Sequence, residues 1–335
     1  MTSRPKVVIT HRVYGPVKEL LGRDCDLVIN EDVETWPREK LLEVSRDAGA
    51  LLVFMPDLID EALLSACPKL RVIAAALKGF DNIDVAACTR RGIWVAIAPD
   101  LLSSPTAELA LALTLGLTRN VLPGDRRVRS GEFRGWRPVL YGGGLVGRTV
   151  GIVGMGKLGQ AFVKLLTGFS ARVLYYDPVA LSPVHEAILG AARTTFDQLL
   201  AQCDVIVVLA PLTESTLHMI NAESLAKMKP GAYLVNVGRG SVVDEQAVAQ
   251  ALESGRLTGY AADVFEMEDW ARPDHPAGVE AALLADSGRT LFTPHLGSAV
   301  NSVRLEIELA AAHSILQVLR GERPQGAIND PEGAK

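Results

Sequence analysis

Residues 149–166 read TVGIVGMGKLGQAFVKLL. A mostly apolar run opens into Gly154, Gly156 and Gly159, spaced G-x-G-x-x-G, and an amphipathic stretch follows. A second apolar run, RVLYYD, occupies 172–177. Strand, glycine turn, helix and strand in that order make a βαβ unit, which demands parallel pairing. Gly154 permits a tight turn, Gly156 lets the backbone approach a pyrophosphate, and Gly159 lets the helix lie close to the strand. The segment therefore predicts a dinucleotide at the mouth of the helix. Asp177 closes the second strand, where a carboxylate accepts hydrogen bonds from an adenine-ribose diol and repels a 2′-phosphate. Pro178, Val179 and Ala180 bring no cation after it, so the segment favours NAD over NADP.

The same alternation runs through the rest of the chain. KVVIT (6–10), DLVI (26–29), ALLVF (50–54), RVIAAA (71–76) and IWVAIA (93–98) read as strands, with a helix over 37–49. Further strands are expected at 204–210, 232–237, 259–265 and 290–293, with helices at 196–203, 221–228 and 244–258. This is an α/β pattern with mostly parallel sheets. A chain of 335 residues exceeds the usual size of one domain. The expectation is two Rossmann-like domains with an interdomain cleft. A long helix over 299–321 returns the chain to the first domain, making that domain discontinuous. Residues 1–101 and 297–335 would then bind substrate, and 102–296 would bind the nucleotide. One helix over 105–124 is apolar on most of two faces, which predicts burial between domains or between subunits.

Composition excludes several classes. Thirty-four basic against 39 acidic residues leave a scattered net charge of −5, with no footprint for nucleic acid or an acidic membrane. No apolar run approaches a membrane span, and the first residues enter a strand directly, so a cytoplasmic location is expected. Cys25, Cys67, Cys88 and Cys203 lie far apart without a C-x-x-C pair, which suits reduced structural thiols. No H-E-x-x-H, Cys/His cluster or calcium loop occurs, so no catalytic metal is expected.

Four residues stand out chemically. Lys78 falls where the apolar run AAAL opens into Gly79-Phe80-Asp81-Asn82. Lysine is costly to bury unpaired, so it either leans into water or receives an anion. Arg239 sits between two glycines in NVGRG, where its guanidinium can present a two-donor fork to an anion. Glu268 and His295 follow two further strands, and strand-end residues converge in an open parallel sheet. A glutamate that holds one imidazole nitrogen raises the basicity of the other and leaves it to move a proton.

The glycine fingerprint, NVGRG, DVFEMED and TPHLGSA, in that order, resemble the D-isomer-specific 2-hydroxyacid dehydrogenase family over nearly the full length. ITHRV, FMPD, ALKGFDN, PDLLSSPTAELA, RSGEFRGW and ADVFEMEDWARPDHP resemble more closely its phosphite-oxidising (phosphonate dehydrogenase) branch. The resemblance implies catalytic roles for Arg239, Glu268 and His295. It implies a substrate site with Lys78, Gly79, Met55, Leu102, Trp136, Tyr141 and Arg304. Nucleotide contacts are implied for Thr106, Gly154, Met155, Gly156, Lys157, Leu158, Gly159, Asp177, Pro211, Val237, Asp263 and His295. It also implies a homodimer with the 105–122 helix at its interface. Two departures from the branch are Asp177, where it has Glu, and the glycine-rich loop 137–144.

The expected reaction is NAD-dependent oxidation of phosphite to phosphate. The alternative is a D-2-hydroxyacid dehydrogenase or 2-ketoacid reductase, in which Arg239 binds carboxylate and carbonyl oxygens. Lys78 favours phosphite, because a second cation suits a compact anion with more charged oxygens. A nucleotide-sensing regulator without turnover is the third reading, opposed by the Arg239, Glu268 and His295 set.

Overall fold

The structure is a computed structural model in which residues 4–331 are described. The chain divides into two compact units. One takes in the chain up to Leu102, Trp270–Pro273, and the chain from Val300. The other comprises Ser103–Asp269 and Asp274–Ala299.

The first unit carries five strands: β1 (Lys6–Ile9), β2 (Asp26–Ile29), β3 (Ala50–Val53), β4 (Val72–Ala75) and β5 (Trp94–Ile97). They pair in the order β2-β1-β3-β4-β5, every pair parallel. Successive residues of β1 explain why both faces are covered. Val7 and Ile9 join a core with Ile307, Ala311 and Ile315 of the helix Asn301–Leu319. Val8 joins the opposite core with Leu41, Leu63 and Leu64 from the helices Arg38–Ser45 and Glu61–Ala66. A strand buried on both sides has no polar face to show, which is why these runs read as unbroken apolar sequence.

The second unit carries seven strands: β6 (Thr149–Val153), β7 (Arg172–Tyr176), β8 (Ala191–Arg193), β9 (Val205–Val208), β10 (Ala232–Asn236), β11 (Leu257–Ala262) and β12 (Thr290–Phe292). Their order is β12-β11-β10-β9-β6-β7-β8, again all parallel. β6 is flanked by β9 on one side and β7 on the other, so the chain reverses its direction of travel across the sheet at β6. Such a switch point opens a crevice at the carboxyl ends of the strands.

Two expectations change. The single helix over 105–124 is two helices, Ser103–Thr118 and Val121–Arg129. Asn120 breaks them apart in the left-handed region at φ 54°, a conformation asparagine tolerates better than most residues. Its side-chain amide donates to Leu140 O at 3.2 Å, which fixes the corner. Within its own unit, the first of these helices packs on the helix Lys157–Leu165 and on β11. β8 and the helix before it, Pro183–Leu189, are additional elements. The three residues of β8, Ala-Ala-Arg, carry no strand-favouring side chain, so pairing with β7 alone makes them a strand.

All four cysteines are free and buried. Burial pushes the Cys88 and Cys203 thiols up to about 12, so they stay protonated and unreactive near neutral pH. Among the described residues, no helix is long and apolar enough to cross a membrane.

Candidate active site

The glycine turn after β6 is built as its spacing demands. Gly154 has φ +97°, and a Cβ there would meet Ala210 N at 2.8 Å, so the turn lies directly on the segment leaving β9. At Gly159 a Cβ would stand 2.3 Å from Gly154 O, and only hydrogen lets the helix start that close to the turn. Nothing lies within 4 Å of a Cβ at Gly156, which leaves the space above it open to a ligand. Gly156 is also the N-cap of the helix Lys157–Leu165, whose positive end suits a pyrophosphate. Lys157 and Leu158 form its first turn.

Asp177 ends the next strand and holds this turn in place. One carboxylate oxygen accepts from Met155 N at 2.7 Å, the other from Val179 N at 2.8 Å. Each oxygen keeps a further lone pair for a ribose hydroxyl. Pro211 follows β9, and Val237, nearly fully buried, follows β10. These residues fit an NAD molecule. One cation escaped the sequence reading: Arg193, on β8, donates to Asp177 O and Pro178 O at 2.8 and 3.0 Å. It lies fifteen or more positions along the chain, so the residues next to Asp177 did not reveal it.

Three neighbouring strands supply the catalytic candidates. Arg239 follows β10, Glu268 follows β11, and His295 follows β12. The glycines beside Arg239 are there for contact. A Cβ at Gly238 would meet Ala210 O at 2.5 Å, and one at Gly240 would meet the Phe265 carbonyl carbon at 1.9 Å. The fully buried Asn236 ties the turn together, donating to Arg239 O at 2.9 Å and accepting from Gly238 N at 3.1 Å.

His295 Nδ1 lies 2.6 Å from Glu268 Oε2. The other Glu268 oxygen accepts from Phe265 N at 2.8 Å, so the carboxylate is itself oriented. The pair leaves His295 Nε2 for proton exchange. His295 takes φ 53°, a left-handed conformation that costs energy for a residue with a Cβ. Asp263, buried after β11, offsets that cost. Its carboxylate accepts from Thr293 Oγ1 at 2.6 Å, Leu296 N at 2.7 Å and Gly297 N at 2.8 Å. Its backbone oxygen accepts from His295 N at 2.8 Å. Burial raises the Asp263 carboxyl above the usual range, against those donors. Asp263 was expected to touch the nucleotide; within the protein it clamps the turn that presents His295. Thr106 lies beside the same turn, 3.1 Å from where a Gly297 Cβ would stand. Trp136 and Tyr141, expected in the pocket wall, stand 75% and 73% exposed on the segment between Arg129 and β6.

In the first unit the substrate candidates gather after the strands. Lys78 follows β4, and its ammonium is not solitary: it donates to Asp100, which follows β5. Both side chains are more than a third exposed, so solvent screens the pair. Gly79 comes next in the turn, half-buried. Arg304 is not a helix-surface arginine. It is mostly buried, donates to Ala76 O at 3.1 Å, and stands 3.6 Å from Glu308. Burial lowers the Arg304 pKa and raises that of Glu308, outweighing their mutual attraction. Met55 and Leu102 are half-buried against the two cores of this unit.

The glycine turn yields a direct test. Gly159→Ala is expected to abolish tight NAD binding and to lower stability by roughly 1–3 kcal/mol, because a methyl group cannot fit beside Gly154 O. Fluorescence titration with NADH and thermal unfolding check both. Unchanged NADH affinity would refute this account of the turn.

Residues 111–297 match the model of the D-isomer specific 2-hydroxyacid dehydrogenase NAD-binding domain. A glyoxylate reductase of Thermofilum pendens is 38% identical across 98% of this chain and 95% of its own. One of Pyrococcus furiosus is 38% identical across 97% and 96%. A crystal structure of a Thermus thermophilus protein superposes with a TM-score of 0.88 at 33% identity, covering 97% of this chain and all of that one. With parallel sheets in two Rossmann-like domains, this chain belongs to the D-isomer specific 2-hydroxyacid dehydrogenase family, a family of NAD-binding oxidoreductases.

Proposed function

We propose that the chain is an NAD-dependent dehydrogenase of a small oxyanion, with His295 as the proton-transferring base. The observation that carries this is the 2.6 Å contact between His295 Nδ1 and Glu268 beside the arginine turn. Glu268 holds the tautomer and stabilises the protonated ring, and Nε2 exchanges the proton. Arg239 fixes the anion through a guanidinium fork. NAD, when bound, supplies the hydride acceptor. His295→Ala is expected to lower kcat by about two to four orders of magnitude while changing NADH affinity far less. A wild-type kcat in that variant would remove the role.

Two substrates fit this chemistry. The relatives support a D-2-hydroxy acid and its 2-keto acid, with glyoxylate the keto acid named for two of them. There Arg239 would hold the carboxylate and His295 would exchange the alcohol proton. This reading has the better support from known proteins.

A second reading, oxidation of phosphite to phosphate, is supported by two cations of the first unit. Lys78 and Arg304 both stand at the end of β4, one by sequence and one by its bond to Ala76 O. Two cations suit a compact anion with several charged oxygens better than a single carboxylate. In this reaction His295 would take a proton from the attacking water as the P–H hydride leaves. NADH formation with phosphite and with a panel of D-2-hydroxy acids, NADH consumption with glyoxylate, and phosphate release select between the readings. Under the phosphite reading, Lys78→Ala costs roughly 1.5–3 kcal/mol, about ten- to a hundredfold in kcat/KM, without weakening NAD. Turnover with the acids alone would eliminate it.

We further propose a homodimer. Val121, Val128, Phe133, Trp136, Leu140 and Tyr141 are all exposed within one short stretch of chain. That density of exposed apolar side chains supports a covering partner. Light scattering should give twice the chain mass of 35.9 kDa; a monomer at micromolar concentration would count against it.

A further inference from the structure

Arg304 is aimed by three groups, and one of them has no place in the chemistry above. Besides Ala76 O and Glu308, the ring of Phe54 lies under the guanidinium, 5.5 Å from its central carbon to the ring centroid. Phe54 is the first residue after β3. In the order β2-β1-β3-β4-β5, the reversal of direction falls between β1 and β3, so Phe54 stands at the switch point of this sheet.

The turn that carries the ring is clamped by buried polar groups. Phe54 N donates to Asp57 Oδ2 at 2.7 Å, and Thr10 Oγ1 donates to the same oxygen at 2.5 Å. The side-chain amide of Asn82 donates to the carbonyls of Phe54, Met55 and Asp57 at 3.2, 3.3 and 2.8 Å. Thr10, Asp57 and Asn82 are all at most 3% exposed. His11 packs on the Phe54 ring, centroids 5.2 Å apart and tilted by 57°. Burial lowers the His11 pKa, so near neutral pH the imidazole sets no second cation beside the ring. The backbone that carries the ring is thus fixed on both its N–H and its carbonyl, and His11 packs on the ring itself. What it holds in turn is a guanidinium that burial has made costly.

We propose that Phe54 is a positioning residue for substrate affinity: its clamped ring fixes the guanidinium of Arg304 for the oxyanion, without touching the reacting atoms. This rests on the reading of Arg304 as a substrate cation. Replacing the aromatic face by an aliphatic chain of similar bulk should free the guanidinium and weaken anion capture, while leaving the His295–Glu268 pair untouched. Tyrosine keeps the face and should keep the affinity.

The test compares the full-length wild type, Phe54→Leu, Phe54→Tyr, Arg304→Ala and the Phe54→Leu/Arg304→Ala double variant, with whichever substrate the wild type turns over. Phe54→Leu is expected to raise substrate KM roughly three- to thirtyfold, with kcat and the KM for NAD within about twofold. Phe54→Tyr should restore wild-type KM. In the Arg304→Ala background, Phe54→Leu should add nothing. A merely structural role would lower the thermal midpoint in both Phe54 variants and leave KM unmoved. That result, or an equal KM rise with and without Arg304, would overturn the proposal. If Arg304→Ala leaves KM unchanged, the reading of Arg304 fails, and the proposal with it. If the wild type turns over neither substrate class, the proposed function fails separately. The midpoint shift produced by sodium phosphite, oxalate and sulfate then makes the same comparison: loss in Phe54→Leu and retention in Phe54→Tyr support the positioning role, and equal shifts overturn it.

Discussion

Parallel pairing governs what this chain can do. Every strand in both sheets runs the same way, so each connection must cross a face and return before the next strand starts. All strand ends therefore collect along one edge of each sheet. Residues remote in sequence become neighbours there with no contact planned between them. Arg239, Glu268 and His295 come from three successive positions in the sheet, β10, β11 and β12. The glycine turn and the segment after β9 meet for the same reason. Chemistry at these edges requires only that each strand's last residues be chosen well.

Legibility in the sequence follows that logic. Strands buried on both faces are unbroken apolar runs, so β3, β4, β6 and β9 could be read off within about two residues. Gly154 and Gly159 could be read because each fills a steric role that no other residue fills, and Gly156 through its spacing from them. Arg239, Glu268 and His295 could be read because charged or titratable groups at strand ends contradict their apolar surroundings. What escaped is whatever depends on a partner far along the chain. Nothing local announces that Asp100 pairs with Lys78, that Arg193 reaches the carbonyl of Asp177, or that Phe54 lies beneath Arg304. The break at Asn120 escaped for a different reason: a left-handed corner has only a weak signature when helical apolar spacing continues beyond it.

Burial and pairing pull against each other repeatedly in the first unit. Arg304 and Glu308 attract, yet burial shifts each away from its charged form. His11 and Asp57 show the same balance. Lys78 and Asp100, each more than a third exposed, keep most of their hydration. The unit thus holds one cation that is buried and costly and another that is solvated and cheap.

Asp177 carries a consequence of its own. Its two oxygens already serve as acceptors inside the protein, one tying the glycine turn to β7 and the other shaping the chain after it. The acidic side chain is a structural tie within the protein, whatever it offers a ribose. Exchanging it to change cofactor preference would unfasten the turn at the moment the turn is asked to accept a new phosphate. Any route to the phosphorylated cofactor has to replace a hinge pin as well as a charge, on a stretch of backbone whose Asp177 and Pro178 carbonyls already hold the guanidinium of Arg193.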